Sequence, residues 1–407
     1  MKIFPVMALS TSPLLADISL DPTFHFNGVI GDTSADSFSE IGGHAHDPND
    51  NFAVQGFEPG LNLRVDDWLA GFTNINVFTD SNHEVDWELE EAFLKFKNLP
   101  GGFELRGGRM LARIGLQNNQ HLHAWTLVNS NLTTSQFLGE EGLMSEGIEL
   151  TWRKDFDQGF FAISTNFSNT ASHHHHADED DHGDHEDEDD HGDEDDHGDE
   201  DDHGDEDDHE HEHSSEDAFM EDNVFVTRAL FGYNQSDFHQ HRLGINTAWG
   251  ENGYGRDTSM HSIDYVYTWR ENGLELGGRE FSVGAEYFYR DVEWIGEEDP
   301  TLRGATSQHS FMAFANYRFH PQWIAGIRYE YLEGAIGGAD IHMGETEYAF
   351  ESSERERITL ALTREFRHSD IMLSTIRLQY SHDNLEEESA DSIWLQFGFD
   401  FGGPEVR

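Results

Sequence analysis

Cysteine is absent from the 407 residues, lysine occurs four times and proline nine. Long apolar runs are missing too: past residue 16 none nears the roughly 18 residues that a spanning helix needs. Each gap excludes something. Without thiols there is no disulfide frame, no cysteine-ligated metal and no thiolate nucleophile, and an oxidising compartment is tolerated. With 24 basic against 81 acidic side chains and a formal charge of −57, the clustered cations that nucleic acid demands are lacking. No Ser/His/Asp constellation stands out, so a barrel enzyme of the lipase or protease kind is not expected. Helical spacing of apolar residues is scarcely visible.

What is present falls into three parts. Residues 1–16 carry Lys2, a mostly apolar stretch from Ile3 to Leu15, and Ala16 as a small residue before Asp17, the layout of a secretory signal. Residues 17–407 form the mature region. Within it, 169–219 holds a low-complexity insert with three identical copies of HGDEDD starting at His191, His197 and His203. Residues 171–220 contain 12 His and 26 Asp or Glu, with no Lys or Arg. Such a composition buries too little apolar surface to offset its ordering entropy, so a solvated loop is expected. Removing its 26 acids still leaves −31, so acidity is general.

Elsewhere the pattern has period two. Phe281, Val283, Ala285, Tyr287 and Tyr289 share one face, and Trp323, Ala325, Ile327, Tyr329 and Tyr331 another. About sixteen such segments follow one another: 18–30, 52–65, 67–79, 85–97, 102–109, 145–153, 158–168, 220–233, 237–249, 259–270, 280–290, 308–319, 322–332, 354–367, 370–382 and 391–401. Connections after even-numbered segments are short, such as Asp66 or His320–Pro321. Those after odd-numbered ones are mostly long: 31–51, 110–144, 169–219, 291–307 and 333–353. Short turns at one end and long loops at the other predict an all-β, transmembrane antiparallel β-barrel in the outer membrane of a Gram-negative bacterium. Aromatics at segment ends suit the bilayer interfaces. Arg64, Arg228, Arg242, Arg318, Arg328 and Arg377 fall on the polar face, which makes them lumen residues, and Glu149, Glu286 and Glu330 share that face. Pairing across the wall and an anion ladder are the two readings of these arginines.

The stretches EAFLKF (91–96), LPGGFELRGGRMLARIGLQNNQHLHAW (99–125) and FLGEEGLMSEGIELTW (137–152) resemble phosphate-selective-porin-like outer-membrane proteins. A "GGR" strand end, a G-x-Q-N-x-x-H-x-H loop and a "G-x-E-L" strand restart carry the resemblance over about 80 residues. Relatives with His-rich loops are often labelled zinc-regulated outer-membrane receptors. IWLQFGFDF (393–401) resembles an outer-membrane assembly signal, here followed by the tail GGPEVR. The resemblance implies a sixteen-stranded, often trimeric porin whose third extracellular loop folds inward and narrows the channel. Phosphate selectivity is not carried over, because such pores are expected to be rich in Lys and Arg.

Three groups could do chemistry. The first is the insert, with His173, His174, His175, His176, His182, His185, His191, His197, His203, His209, His211 and His213 beside carboxylates. Their six-residue recurrence matches no closed zinc motif, so several weak, exchanging sites for Zn²⁺ or another divalent transition metal are expected. A bare solvating brush that repels anions or binds Ca²⁺ and lipopolysaccharide is the alternative. The second is loop 110–144, where Arg109, Arg113, Asn118, His121 and His123 are candidate constriction residues, with Gln117 and Asn119 beside them. An extended H-x-H points both rings one way, which suits metal ligation, a hydrogen-bonded constriction or a structural tie. The third is His44 and His46 with Asp47 and Asp50, placed with His83 and His342 at the outer surface. The resulting expectation is a passive porin for small solutes or ions, embedded among outer-membrane lipid and lipopolysaccharide. Its acidic His-rich loop would capture divalent metal at the mouth; the alternative is a general or anion-selective porin. An energised receptor of about 22 strands around a plug does not fit the length.

Overall fold

Alternation puts one apolar face on nearly every segment, and a sheet with such a face is stable in lipid only if it closes and leaves no edge. The computed structural model shows that closure. It describes residues 17–34, 46–48, 51–80, 83–139, 141–171, 218–275, 277–296, 301–342, 345–352, 354–385 and 388–406. Residues 1–16 and 172–217, and with them the export signal and all twelve insert histidines, lie outside the described residues. So do His44 and Asp50.

The strands are β1 (Ile18–Thr33), β2 (Asn51–Val65), β3 (Leu69–Thr79), β4 (Val85–Leu99), β5 (Phe103–Leu111), β6 (Met144–Phe156), β7 (Gly159–Thr170) and β8 (Met220–Ser236). They continue with β9 (His239–Asn252), β10 (Asp257–Arg270), β11 (Glu280–Ile295), β12 (Arg303–His320), β13 (Trp323–His342), β14 (Glu345–Ser352), β15 (Arg355–Ser369), β16 (Met372–Leu385) and β17 (Glu388–Phe401). Sixteen form the wall. Each pairs antiparallel with its neighbour, and β1 closes on β17 through pairs such as Phe26 with Phe399. The exception is β14, which pairs only with the far half of β13 (335–342), while residues 323–332 of β13 pair with β15. Segment 333–353, read as a loop, is thus strand extension plus a hairpin. Likewise β11 and β12 run on into 291–307 and shorten that loop to 296–302.

Ile263, Ile327, Leu360, Leu378 and Ile393 are among the outward, exposed residues that form the lipid-facing band, and Trp68, Phe156, Phe238 and Phe319 ring the short-turn end. Inward positions are polar and buried, including Asn62, Asn246, Asp264, Glu286, Thr359 and Gln396. Gly108 of the GGR motif has φ +134°, and a Cβ there would lie 2.2 Å from the Ala92 carbonyl oxygen. Glycine is required where β4 and β5 approach so closely.

Candidate functional site: the lumen and its inserted loop

The chain between β5 and β6 turns into the barrel and fills part of it. It contains a 3₁₀ turn (Leu122–Ala124) and one short helix, α1 (Leu132–Phe137), whose N-cap Asn131 accepts from the Thr134 N–H at 2.7 Å. Asn118 ties the base of the loop together. Its Nδ2 donates to the Ala112 and Leu143 carbonyls at 2.8 and 3.2 Å, and its Oδ1 accepts from Leu143 N–H at 2.7 Å. Gly142, at φ +76°, leaves space for it; a Cβ would stand 2.5 Å from Asn118 Oδ1. Ala112, Ile114, Leu132, Phe137, Leu138 and Leu143 then pack on Val224, Val226, Met260, Phe288 and Leu332 of the wall. An apolar cluster inside the barrel is what holds a loop there against water.

Wall arginines complete the attachment. Arg228 donates to the Gly115 carbonyl at 2.9 Å, and Arg328 to those of Asn129 and Ser130 at 3.3 and 2.7 Å. Arg377 reaches the Leu127 and Trp125 carbonyls at 3.0 and 2.9 Å. Acceptors work from the wall as well: Glu330 takes Leu132 N–H at 2.8 Å and Gln379 takes Val128 N–H at 2.7 Å. On the wall itself Arg228 pairs with Asp264 and Arg328 with Glu330, 2.9 and 2.8 Å apart, while Arg377 donates to Gln396 at 2.6 Å. These guanidiniums bind backbone carbonyls, so they do not form a free anion ladder.

The other sequence-predicted residues divide. Arg64 pairs with Asp21 at 2.5 Å and donates to the Pro404 carbonyl at 3.0 Å, at the short-turn mouth. Arg318 pairs with Glu365 at 2.6 Å. Arg242 lies exposed on the inward register near the start of β9. Arg113 faces Glu149 at 3.4 Å inside the lumen. Arg109 does not belong to the constriction: it shares the outward register of β5 and pairs across the strand with exposed Glu146 at 3.3 Å. Arg106, three residues earlier, is the buried inward arginine, 3.2 Å from Glu149. His46 also departs from expectation. Instead of standing at the outer surface, it is buried against Glu88 (2.7 Å) and Phe78, while its neighbour Asp47 accepts Ser130 N–H at 2.7 Å. Burial alone pushes the His46 ring down, but Glu88, backed by Glu90 and Glu141, outweighs it and holds the pKa at about 9.

His121 and His123 lie on the underside of the inserted loop, where they meet residues that the sequence reading did not single out. His123 Nδ1 is 2.6 Å from Glu58 Oε2, and its ring stacks on His25 with centroids 3.5 Å apart. His121 Nε2 lies 3.1 Å from Glu91, and its Nδ1 lies 3.2 Å from Glu405 of the C-terminal tail. That tail turns back into the barrel mouth, where Val406 N–H donates to Asn62 Oδ1 at 2.8 Å. Beside the cluster opens a vestibule of about 270 Å³ on the short-turn side, lined by His123, Trp125, Arg318, Glu365, Arg377 and Asp400 among others. Parity does mark His25 and Glu58 as inward. Glu90 and Glu91 are both inward because the β3–β4 register shifts between Asn74 and Asn76, and a bulge breaks the alternation that parity relies on.

No family model matches the chain. An uncharacterized protein of Aquifex aeolicus (strain VF5) is 30% identical over 159 residues, 37% of this chain and 33% of that protein, so the chain spans about a third of that relative's length. Among solved structures, an anion-selective porin from Comamonas acidovorans superposes with TM-score 0.51 at 10% identity, covering 95% of this chain and 100% of that one. The outer-membrane channel DcaP of Acinetobacter baumannii gives 0.50 at 10% identity, with 95% and 97% covered. The trimer form of OmpT, an outer-membrane protein of Vibrio cholerae, gives 0.50 at 8% identity, with 95% and 99% covered. At such identities the likeness is one of fold: a sixteen-stranded barrel of the Gram-negative outer-membrane type.

Proposed function

We propose that this chain is a passive outer-membrane channel for small ions or solutes, related to the phosphate-selective-porin-like proteins its sequence resembles. Its acidic, His-rich insert concentrates divalent transition metal, zinc foremost, near the mouth. The observation that carries the channel reading is the polar lumen, held partly filled by loop 112–143 on wall arginines and leaving a vestibule beneath it. An apolar plug or a fully packed barrel would have no use for buried charge pairs along its inner wall. Two of the superposing structures are a porin and an outer-membrane channel, which supports the same reading. The trimeric form of a third supports a homotrimer here.

Metal capture rests on the insert's composition. Neutral imidazole and carboxylate together suit zinc, copper, nickel or cobalt, and proximity would raise flux without energy input. Because ligand imidazoles must be unprotonated, metal should dissociate as pH falls toward about 5.5. Arg228, Arg328 and Arg377 argue against an anion-selective porin, since their donors are engaged by loop carbonyls. The test is calorimetric titration of zinc into the purified protein and into a variant lacking 172–217. Several weak equivalents should disappear with the insert; equal uptake by both proteins would end the metal-capture reading. Discrete current steps in planar bilayers should persist in both, and a failure to conduct would end the channel reading separately.

A further inference from the structure

The cluster beneath the inserted loop has the donor set of a metal site, independently of the insert. His25 on β1, His123 on the loop and Glu405 on the C-terminal tail bring their ligand atoms within 4.8 Å of one another. Their roles can be read from the second nitrogen of each ring. His25 Nδ1 lies 2.9 Å from Asp400 Oδ1, and His123 Nδ1 lies 2.6 Å from Glu58 Oε2. An ionised carboxylate only accepts, so each Nδ1 carries a proton, and in the neutral ring Nε2 then presents its lone pair. Both Nε2 atoms face the same oxygen, Glu405 Oε1, at 4.0 and 3.7 Å. Ligating histidines are held this way, with the far N–H on a carboxylate that fixes tautomer and ring direction.

Burial adds a second sign. The His25 side chain is 10% exposed, and its Nε2 makes no hydrogen bond among the described residues. Nor does Glu58 Oε1, although that side chain is 1% exposed. Buried polar atoms without partners are uncommon and call for an explanation. A cation at the Nε2 edge of the two rings, beside Glu405, would satisfy His25 and neutralise the excess of carboxylate here, where Glu58, Glu91, Asp400 and Glu405 meet three histidines. Zinc bonds of about 2.0–2.2 Å place tetrahedral ligands about 3.3 Å apart, so the Nε2–Oε1 separations of 4.0 and 3.7 Å must shorten and the stacked His25 and His123 rings must splay for their lone pairs to converge on one ion. Glu405 is the adjustable ligand, since it lies on a tail after the last strand and His121 Nδ1 already holds it at 3.2 Å.

We infer that His25, His123 and Glu405 bind one divalent first-row transition ion, with a fourth coordination position open toward the vestibule. Such an ion joins three parts of the molecule that are far apart in sequence: the first strand, the inserted loop and the C-terminal tail. It makes the position of the tail at the short-turn mouth depend on metal. The channel function does not enter this inference, and neither do residues 172–217.

The experiment uses the chelator-stripped full chain lacking only 172–217, in detergent, titrated with zinc alone and in parallel with cobalt(II). One saturable equivalent per chain is expected, with a visible cobalt spectrum of tetrahedral type. Glu405→Gln and His25→Ala should each weaken zinc binding 10- to 100-fold. Heat-modifiable migration on a gel reports whether each variant still forms its barrel. Glu405→Gln alters only the tail, so it decides the matter even where His123→Ala fails to fold. Absence of a saturable equivalent, or affinity unchanged by both Glu405→Gln and His25→Ala, overturns the assignment. The channel reading fails only if no conductance is found, so the two outcomes are separable.

Discussion

His46 shows how one buried ring can set the behaviour of a loop. Its imidazolium sits on Glu88, 2.7 Å away, beside Asn76 and under Phe78. The folded pKa of about 9 exceeds the unfolded value of 6.5. The stabilisation is therefore fully present below about pH 6.5 and is lost as pH rises through about 9, an effect on the order of 3 kcal/mol. Thermal unfolding in detergent should show the midpoint falling between pH 7 and 10. The His46→Gln variant should start lower and vary less over that range. A parallel decline in both proteins would show that other groups control the transition. Little of this was legible beforehand. An H-x-H in a long first loop resembles a surface feature, and only the fold shows His46 against a β4 glutamate.

At the scale of the element, the inserted loop depends on two kinds of attachment that can be separated. Arginines hold its middle to the wall, while Asn118 closes its base through three hydrogen bonds. At about 1 kcal/mol each, losing them in Asn118→Ala should cost the loop roughly 3 kcal/mol of local stability and leave the wall unaffected. We expect barrel formation on a gel to be normal, protease cleavage within 112–143 to be faster, and single-channel current to be larger and noisier. Unchanged current with an uncleaved loop would mean that Arg228, Arg328 and Arg377 hold it alone. The strands themselves were legible because the two solvents on either side of the wall impose period two on the sequence. Parity also put the six lumen arginines inside. What they do there was not legible, because their partners are backbone carbonyls of a segment without periodicity. Arg109 is the reverse case: two residues beyond Gly107 and four beyond Leu105, it was readable as outward, yet its closeness to the loop suggested the pore. The β4 bulge and the returning tail left no pattern, so Glu90, Glu91 and Glu405 came only from the structure.

Taken as a whole, the molecule separates its charge by location. Inside the barrel, acids and bases lie in contact, as in Arg106 with Glu149 and Arg357 with Asp383. Most of the net −57 must then be carried elsewhere, and residues 171–220 alone contribute 26 acids. These two populations respond differently to salt. Charges in open water are screened beyond about 10 Å at 0.1 M and about 3 Å at 1 M, whereas buried pairs are screened far less. A cation preference produced by the insert should therefore be salt-sensitive, and one produced by the lumen should not. Reversal potentials measured across bilayers at both salt levels separate them. In 0.1 M salt the intact protein should prefer cations more strongly than the variant lacking 172–217, and in 1 M salt the two should converge. If the difference persists undiminished in 1 M salt, the insert acts from within the pore and not as a charged fringe at its mouth. If no difference exists at 0.1 M, the selectivity belongs to the vestibule lined by Arg318, Glu365, Arg377 and Asp400.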